Sequence, residues 1–155
     1  MAALDFYAEP GGPPASLAVR IGRLLGFEGE APLDDIRLAD RIARGLKPSA
    51  AASLSEAIGR AHVVGPLIPE ATLRRARTRR GRLSREMSER LYEVSRVVDA
   101  VSRAYHGDRA AIERFLTRPH PLLDARSPLE VAQSSSAGAD AVLNMLRRAE
   151  AGVSL

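Results

Sequence analysis

Arginine is the residue type in this chain with the clearest chemical potential. Arg74, Arg75, Arg77, Arg79, Arg80, Arg82 and Arg85 fall within "ATLRRARTRRGRLSREMSERL", and no acidic residue lies between Arg74 and Arg85. A guanidinium offers a planar fork of donors that matches phosphate or carboxylate geometry. On an ordinary solvated helix, opposite charges three and four residues apart offset one another. Here that pairing is missing, so the stretch points to an external polyanion. Thr72 and Thr78, interleaved with the arginines, add hydroxyls within reach of bases or phosphates. Other chemistries find no residue set. His62, His106 and His120 are far apart and share no helical face. The chain has no Cys, so a disulfide framework and a thiolate metal site are both excluded. The run "SSSAG", 134–138, lacks the strand–turn–helix setting of a nucleophile elbow. The carboxylates are spread singly among arginines, as on a solvated helix surface. The expectation is a binding protein with no catalytic residues, no metal and no cofactor.

The bulk numbers set the frame for those arginines. With 155 residues, 45% of them hydrophobic, the chain suits one compact domain or two very small ones. Only 4% is aromatic and Trp is absent, so the core must be built from Leu, Ile, Val and Ala, which favours helix–helix packing. No apolar run approaches the roughly 18 residues of a membrane span. Asp5 and Glu9 flank a short stretch that does not read as a signal peptide, so a cytoplasmic protein is the default. The net charge of +4 is unevenly placed: residues 1–50 carry −1, residues 51–104 carry +5 and residues 105–155 carry 0. The basic residues of the middle third are all Arg, a bias that a GC-rich codon usage would also produce.

Caps and periodicity then locate the elements. "EPGGPP" separates a short arm from a first helix, capped by Ser16, with Leu17, Ile21, Leu24 and Leu25 on one face and Gly26 as the stop. A second helix fits Asp34 to Arg44, with Ile36, Ala39, Ile42 and Ala43 inward. A third fits roughly Ala50 to Ala61. "VVGPLIP" reads as an apolar turn, with Pro69 at the first position of a helix running to about Arg79, where Gly81 breaks it. The longest periodic signal begins at Ser84: Met87, Leu91, Val94, Val98, Val101 and Tyr105 recur at helical spacing. Asp108 caps a helix with Ala111, Ile112, Phe115 and Leu116 inward. In "RSPLEV", Ser127, Pro128 and Glu130 form a capping box. A last helix, from about Gly138 to Glu150, shows Val142, Met145, Leu146 and Ala149. No segment alternates like a strand, and the expected fold is all-α, a small helical bundle. Two short helices joined by an apolar turn outline a helix-turn-helix, whose second helix would place the arginines against DNA.

From Gly81 onward the order of parts is itself informative: "GRLS", a Ser–Glu–Arg–Leu helix, a Gly–Asp step, "FLTRPHPLL", "SPLEVA", and a helix ending in "AGV". This succession resembles the Xre/MbcA/ParS family of bacterial antitoxins, the partners of RES-domain toxins. Phe115 stands where the family usually has Trp, and His120 where it often has Asn. The resemblance implies an antitoxin of a type II toxin–antitoxin system with three parts: an N-terminal arm and helices (1–48), a helix-turn-helix-like DNA-binding and dimerisation region (49–104), and a toxin-binding domain (105–155). It implies a homodimer within a toxin–antitoxin hetero-oligomer that binds its own promoter and represses it. The toxins look like NAD-consuming or ADP-ribosylating enzymes. Carried over, Glu150, Gly152, Val153, Ser154 and Leu155 would plug the toxin's active-site entrance, with Arg147 and Arg148 beside it and Phe115 as an apolar anchor. DNA would be met by Thr72, Arg74, Arg75, Arg77, Thr78, Arg79, Arg80 and Arg82. The alternative is a stand-alone helix-turn-helix regulator with a different C-terminal partner.

Overall fold

A computed structural model describes residues 3–27 and 33–152. Among them are eight α-helices and no strand: α1 (Leu17–Leu24), α2 (Asp35–Arg44), α3 (Ser49–Ile58), α4 (Glu70–Thr78), α5 (Arg85–Ala104), α6 (Arg109–Thr117), α7 (Pro128–Ser134) and α8 (Ser136–Glu150). The fold is the all-α bundle that the caps and periodicity predict. Ser16, Asp34, Ser84, Asp108 and Ser127 each accept a backbone N–H two or three residues into their helix, which satisfies one of the donors left orphaned at every helix start. The backbone N–H of Arg37 also holds the Asp34 carboxyl below the usual carboxylate range. The predicted capping box is complete: Ser127 Oγ accepts from Glu130 N–H, and Ser127 N–H donates to the Glu130 carboxylate. α8 starts two residues earlier than the sequence suggests, because Ser135 takes the cap.

α5 is the spine. Helices α1, α2 and α3 pack on one part of it, and α6, α7 and α8 on another. Its burial is far wider than one amphipathic stripe: Leu91, Val94, Val97, Val98 and Val101 are fully buried, and so are Ser88, Ser95, Asp99 and Ser102. A helix embraced from both sides has no solvated face along its middle.

Asp99 corrects the expectation that every carboxylate lies on the surface. Its side chain is 1% exposed. Arg20 Nε donates to Oδ1 at 2.8 Å, Tyr7 Oη donates to the same oxygen at 2.8 Å, and Arg103 Nε donates to Oδ2 at 3.2 Å. Arg20 uses a further nitrogen on the carbonyls of Pro14 and Ala15. The N-terminal arm is therefore part of the core: Leu4, Phe6 and Tyr7 are buried, and the "EPGGPP" turn hands the chain back to α1. Burial, followed by the charge of Asp99, pushes the Tyr7 hydroxyl well above its ordinary range.

Two further departures concern α2 and α4. α2 buries Leu38 and Ile42, whereas Ile36 is 72% exposed and Ala39 and Ala43 face solvent. The stripe Leu38–Ile42–Leu46, at a spacing of four residues, wins because it removes more apolar surface from water than Ile36 with two alanines. The break after α4 falls at Arg80, which takes the left-handed conformation (φ 52°). Between α2 and α5, Gly45 sits at φ 97° so close to the Leu83 carbonyl that a Cβ would come within 2.1 Å of it. Leu83 N–H donates to Leu46 O, and Leu46 N–H donates to Ser88 Oγ. These contacts seat the α2–α3 turn against the start of α5.

Candidate functional site

The arginine stretch forms a surface with two sides. α4 buries only Leu73, with Ala76 half-buried, so the helix rests on a narrow apolar edge. Arg74, Arg75, Arg77, Arg79, Arg80 and Arg82 are all exposed. Among the described residues none of the six pairs with a carboxylate. Arg77, Arg80 and Arg82 line a groove of about 540 Å³ together with Lys47, Ser49, Ala52 and Ala76, whereas Arg74, Arg75 and Arg79 lie outside that lining. Thr78 Oγ1 donates to the Arg74 carbonyl at 3.0 Å, one turn back along its own helix, and Thr72 Oγ1 accepts from Arg75 at 3.4 Å.

The connection expected to be a helix-turn-helix turn is longer than that motif uses. Residues 59–69 separate α3 from α4, folded as a single helical turn at Arg60–His62 and an apolar loop that buries Val63, Leu67 and Ile68 and pairs Val64 with Ile68. A helix-turn-helix spans three or four residues there. α2 and α3, by contrast, are joined by only the four residues 45–48, Gly45 among them. Sequence reading missed that this short turn delivers Arg44 and Lys47 to the same side of the molecule as α4. Their segment carries net −1, and the only available signal was their position beside Gly45.

The second surface is C-terminal. Asp108 caps α6, and Arg109 reaches from it to the Glu56 carbonyl at the end of α3 (2.6 Å). Phe115 is half-buried, its ring 6.1 Å from that of Tyr105, which is 40% exposed. The two line a shallow cavity of about 290 Å³ with Arg114, Arg118 and His120. His120 Nδ1 accepts from Leu122 N–H at 3.2 Å and stabilises the turn before α7, the kind of local bond an Asn side chain commonly makes. Its backbone N–H pairs with the Arg126 carbonyl. α7 and α8 form a tight hairpin: at Gly138 a Cβ would stand 2.0 Å from the Val131 carbonyl. Asp140 accepts from Arg96 at 2.9 Å and Ser136 donates to Glu93 at 3.2 Å, while Arg96 also pairs closely with Glu93. These bonds fasten α8 to α5.

The last turn of α8 is solvated on every side. Arg147, Arg148, Ala149 and Glu150 are exposed; Arg147 donates to Asn144 Oδ1 at 3.1 Å, and Gly152 takes a left-handed φ of 77°. Two arginines in a final turn complement the negative helix end. Val153, Ser154 and Leu155 lie outside the described residues. Among the described residues the two halves of the predicted toxin-binding set are not joined: the cavity around Phe115 has no lining residue from α8.

Residues 101–152 match the family model for the antitoxin Xre/MbcA/ParS C-terminal toxin-binding domain. A curated relative, the antitoxin Xre of Yersinia enterocolitica serotype O:8 / biotype 1B, is 35% identical over 86 residues, which cover 56% of this chain and 57% of the relative. Residues 101–152 are similar to the toxin-binding domain of the Xre/MbcA/ParS antitoxins. The chain thus spans a little over half the length of that relative. The Xre/MbcA/ParS segment takes in the end of α5 and all of α6, α7 and α8. It contains the Phe115 cavity and the exposed end of α8, and it excludes the α4 arginines.

Proposed function

We propose that this chain is the antitoxin of a type II toxin–antitoxin pair that acts by occupying surfaces. Its C-terminal domain captures a RES-domain, NAD-consuming or ADP-ribosylating toxin, and its central helices bind the DNA of their own operon as a dimer. The observation that carries the first part is the match of residues 101–152 to a toxin-binding domain, together with an α8 whose final turn presents Arg147, Arg148 and Glu150 to solvent. A helix fastened at its start by Arg96 and Glu93 and free at its end is a rigid rod able to carry a short tail into an enzyme's cleft. In this reading Gly152 lets the chain turn off the helix, and Val153, Ser154 and Leu155 follow into the toxin's active-site entrance. Phe115 and Tyr105 supply a separate apolar contact for the toxin.

The DNA part is supported by six exposed arginines in and after α4 with no carboxylate partner among the described residues. Such cations hold phosphates and give a binding that weakens steeply with salt. Co-expression of this chain with the adjacent reading frame tests the reading. A neighbour that arrests growth alone and is silenced by this chain supports it, and a harmless neighbour counts against it.

A further inference from the structure

The cationic surface does not end with α4. The groove lined by Arg77, Arg80 and Arg82 shares Lys47, Ser49 and Arg82 with a second groove of about 550 Å³, into which α2 places Arg44. The two are continuous through those shared residues. Arg44, Lys47, Arg77 and Arg80 have no partner among the described residues. Arg82 places one nitrogen on the Gly45 carbonyl at 3.1 Å and leaves its other donors available. Among the described residues Asp40 is the one acidic side chain in either lining. Three separate elements, the end of α2, the turn before α3 and the stretch from α4 to α5, thus converge on one channel. The close approach of Gly45 to Leu83 fixes their spacing.

We propose that this channel is a second phosphate-binding surface, which holds the backbone of duplex DNA through Arg44 and Lys47 in addition to the α4 arginines. The inference rests on the DNA-binding reading above and deepens it. An acidic protein surface fits less well. Protein interfaces are anchored by buried apolar and aromatic side chains, and among the described residues the α4 half of the channel offers Pro48, Ala52 and Ala76 as its apolar side chains, with no aromatic among them. The side chains there that can hold a ligand by directed bonds are Lys47, Arg77, Arg80 and Arg82 with the Ser49 hydroxyl, and such cations are what phosphate contact requires. Because the side chains meet backbone rather than base edges, their contribution is independent of sequence.

The experiment uses the full chain and two duplexes, one from the region upstream of the gene and one scrambled, titrated over a range of salt concentrations. Arg44→Ala combined with Lys47→Ala should lower the log–log salt slope by about 1.8, about 0.9 for each lost contact, and weaken both duplexes alike. Arg44→Lys with Lys47→Arg should keep the parent slope. All of these positions are exposed, and an unchanged melting temperature confirms the fold. If the Arg44/Lys47 variant binds with parent affinity and slope while Arg77→Ala with Arg80→Ala does not, the second surface is refuted and the α4 reading stands. If the unmodified chain binds neither duplex, both are refuted. If the Arg44/Lys47 variant keeps DNA but loses the co-expressed toxin, the channel serves a protein and the inference fails.

Discussion

Replacing Asp99 by alanine should be among the most damaging single changes in this chain. The carboxylate accepts four hydrogen bonds: two from Arg20, one from the Tyr7 hydroxyl and one from Arg103. Without it the Arg20 guanidinium, whose side chain is 8% exposed, keeps its charge in a site that water does not reach. Removing one partner of a buried ion pair typically costs about 3–5 kcal/mol. The stranded Tyr7 hydroxyl adds about 1 kcal/mol. With a urea slope near 2 kcal/mol per molar, the midpoint should fall by about 2 M at unchanged slope, a large part of the roughly 5–15 kcal/mol that holds a domain together. The arm should respond first: amides of residues 3–15 should exchange with deuterium faster than those of α7 and α8. Arg103→Ala is the companion, since that side chain is 44% exposed and its pair should be worth no more than about 1 kcal/mol. If Asp99→Ala unfolds within 1 kcal/mol of the parent, or matches Arg103→Ala, the arm is not locked to α5 in the way described.

The same lock has a pH signature. Burial raises the folded Tyr7 hydroxyl above its ordinary value near 10, so both states keep the proton below pH 10 and Tyr7 adds no pH dependence there. Above pH 10 the unfolded chain ionises while the folded chain does not, and stability should fall by about 1.4 kcal/mol per pH unit; Tyr7→Phe should remove that slope in alkaline denaturation curves. Gly138→Ala drives a methyl into the Val131 carbonyl and should cost at least about 2 kcal/mol by overpacking the α7–α8 hairpin, with loss of toxin capture in a pull-down and retention of DNA binding. Arg74→Glu with Arg75→Glu should weaken binding to upstream DNA by several kcal/mol at low salt, an order-of-magnitude expectation; unchanged affinity in a mobility shift would place the outer face of α4 elsewhere.

The helix starts were legible because their signals are local. A Ser or Asp ahead of an apolar period needs only its own first turn to act, and Ser84, Asp108 and Ser127 cap their helices as the sequence predicts. What depended on distant partners was not legible. Tyr7 and Asp99 are 92 residues apart, and a lone Asp on a charged helix carries no mark of burial until the helices around it are placed. Ile36 failed for a related reason: periodicity finds a stripe, and packing chooses between two overlapping stripes by the area each can bury. The arginines themselves were conspicuous. Their division into a groove side and an outer side, and the arrival of Arg44 and Lys47 beside them, followed only from the fold. The C-terminal segment was visible through the order of its motifs, which the match at residues 101–152 supports. The contacts proposed for it involve a toxin that the chain's own sequence does not describe.

The most direct test of the account is the rate of NAD loss catalysed by the purified product of the neighbouring gene, measured with the full chain and with a chain ending at Ala151. The account predicts that the full chain abolishes the activity at equimolar amounts. The shortened chain, lacking Gly152 to Leu155, should still form the complex while leaving NAD consumption largely intact. Complete inhibition by the shortened chain would contradict the blocking tail, and a complex that consumes NAD with the full chain bound would contradict inhibition by occupation altogether.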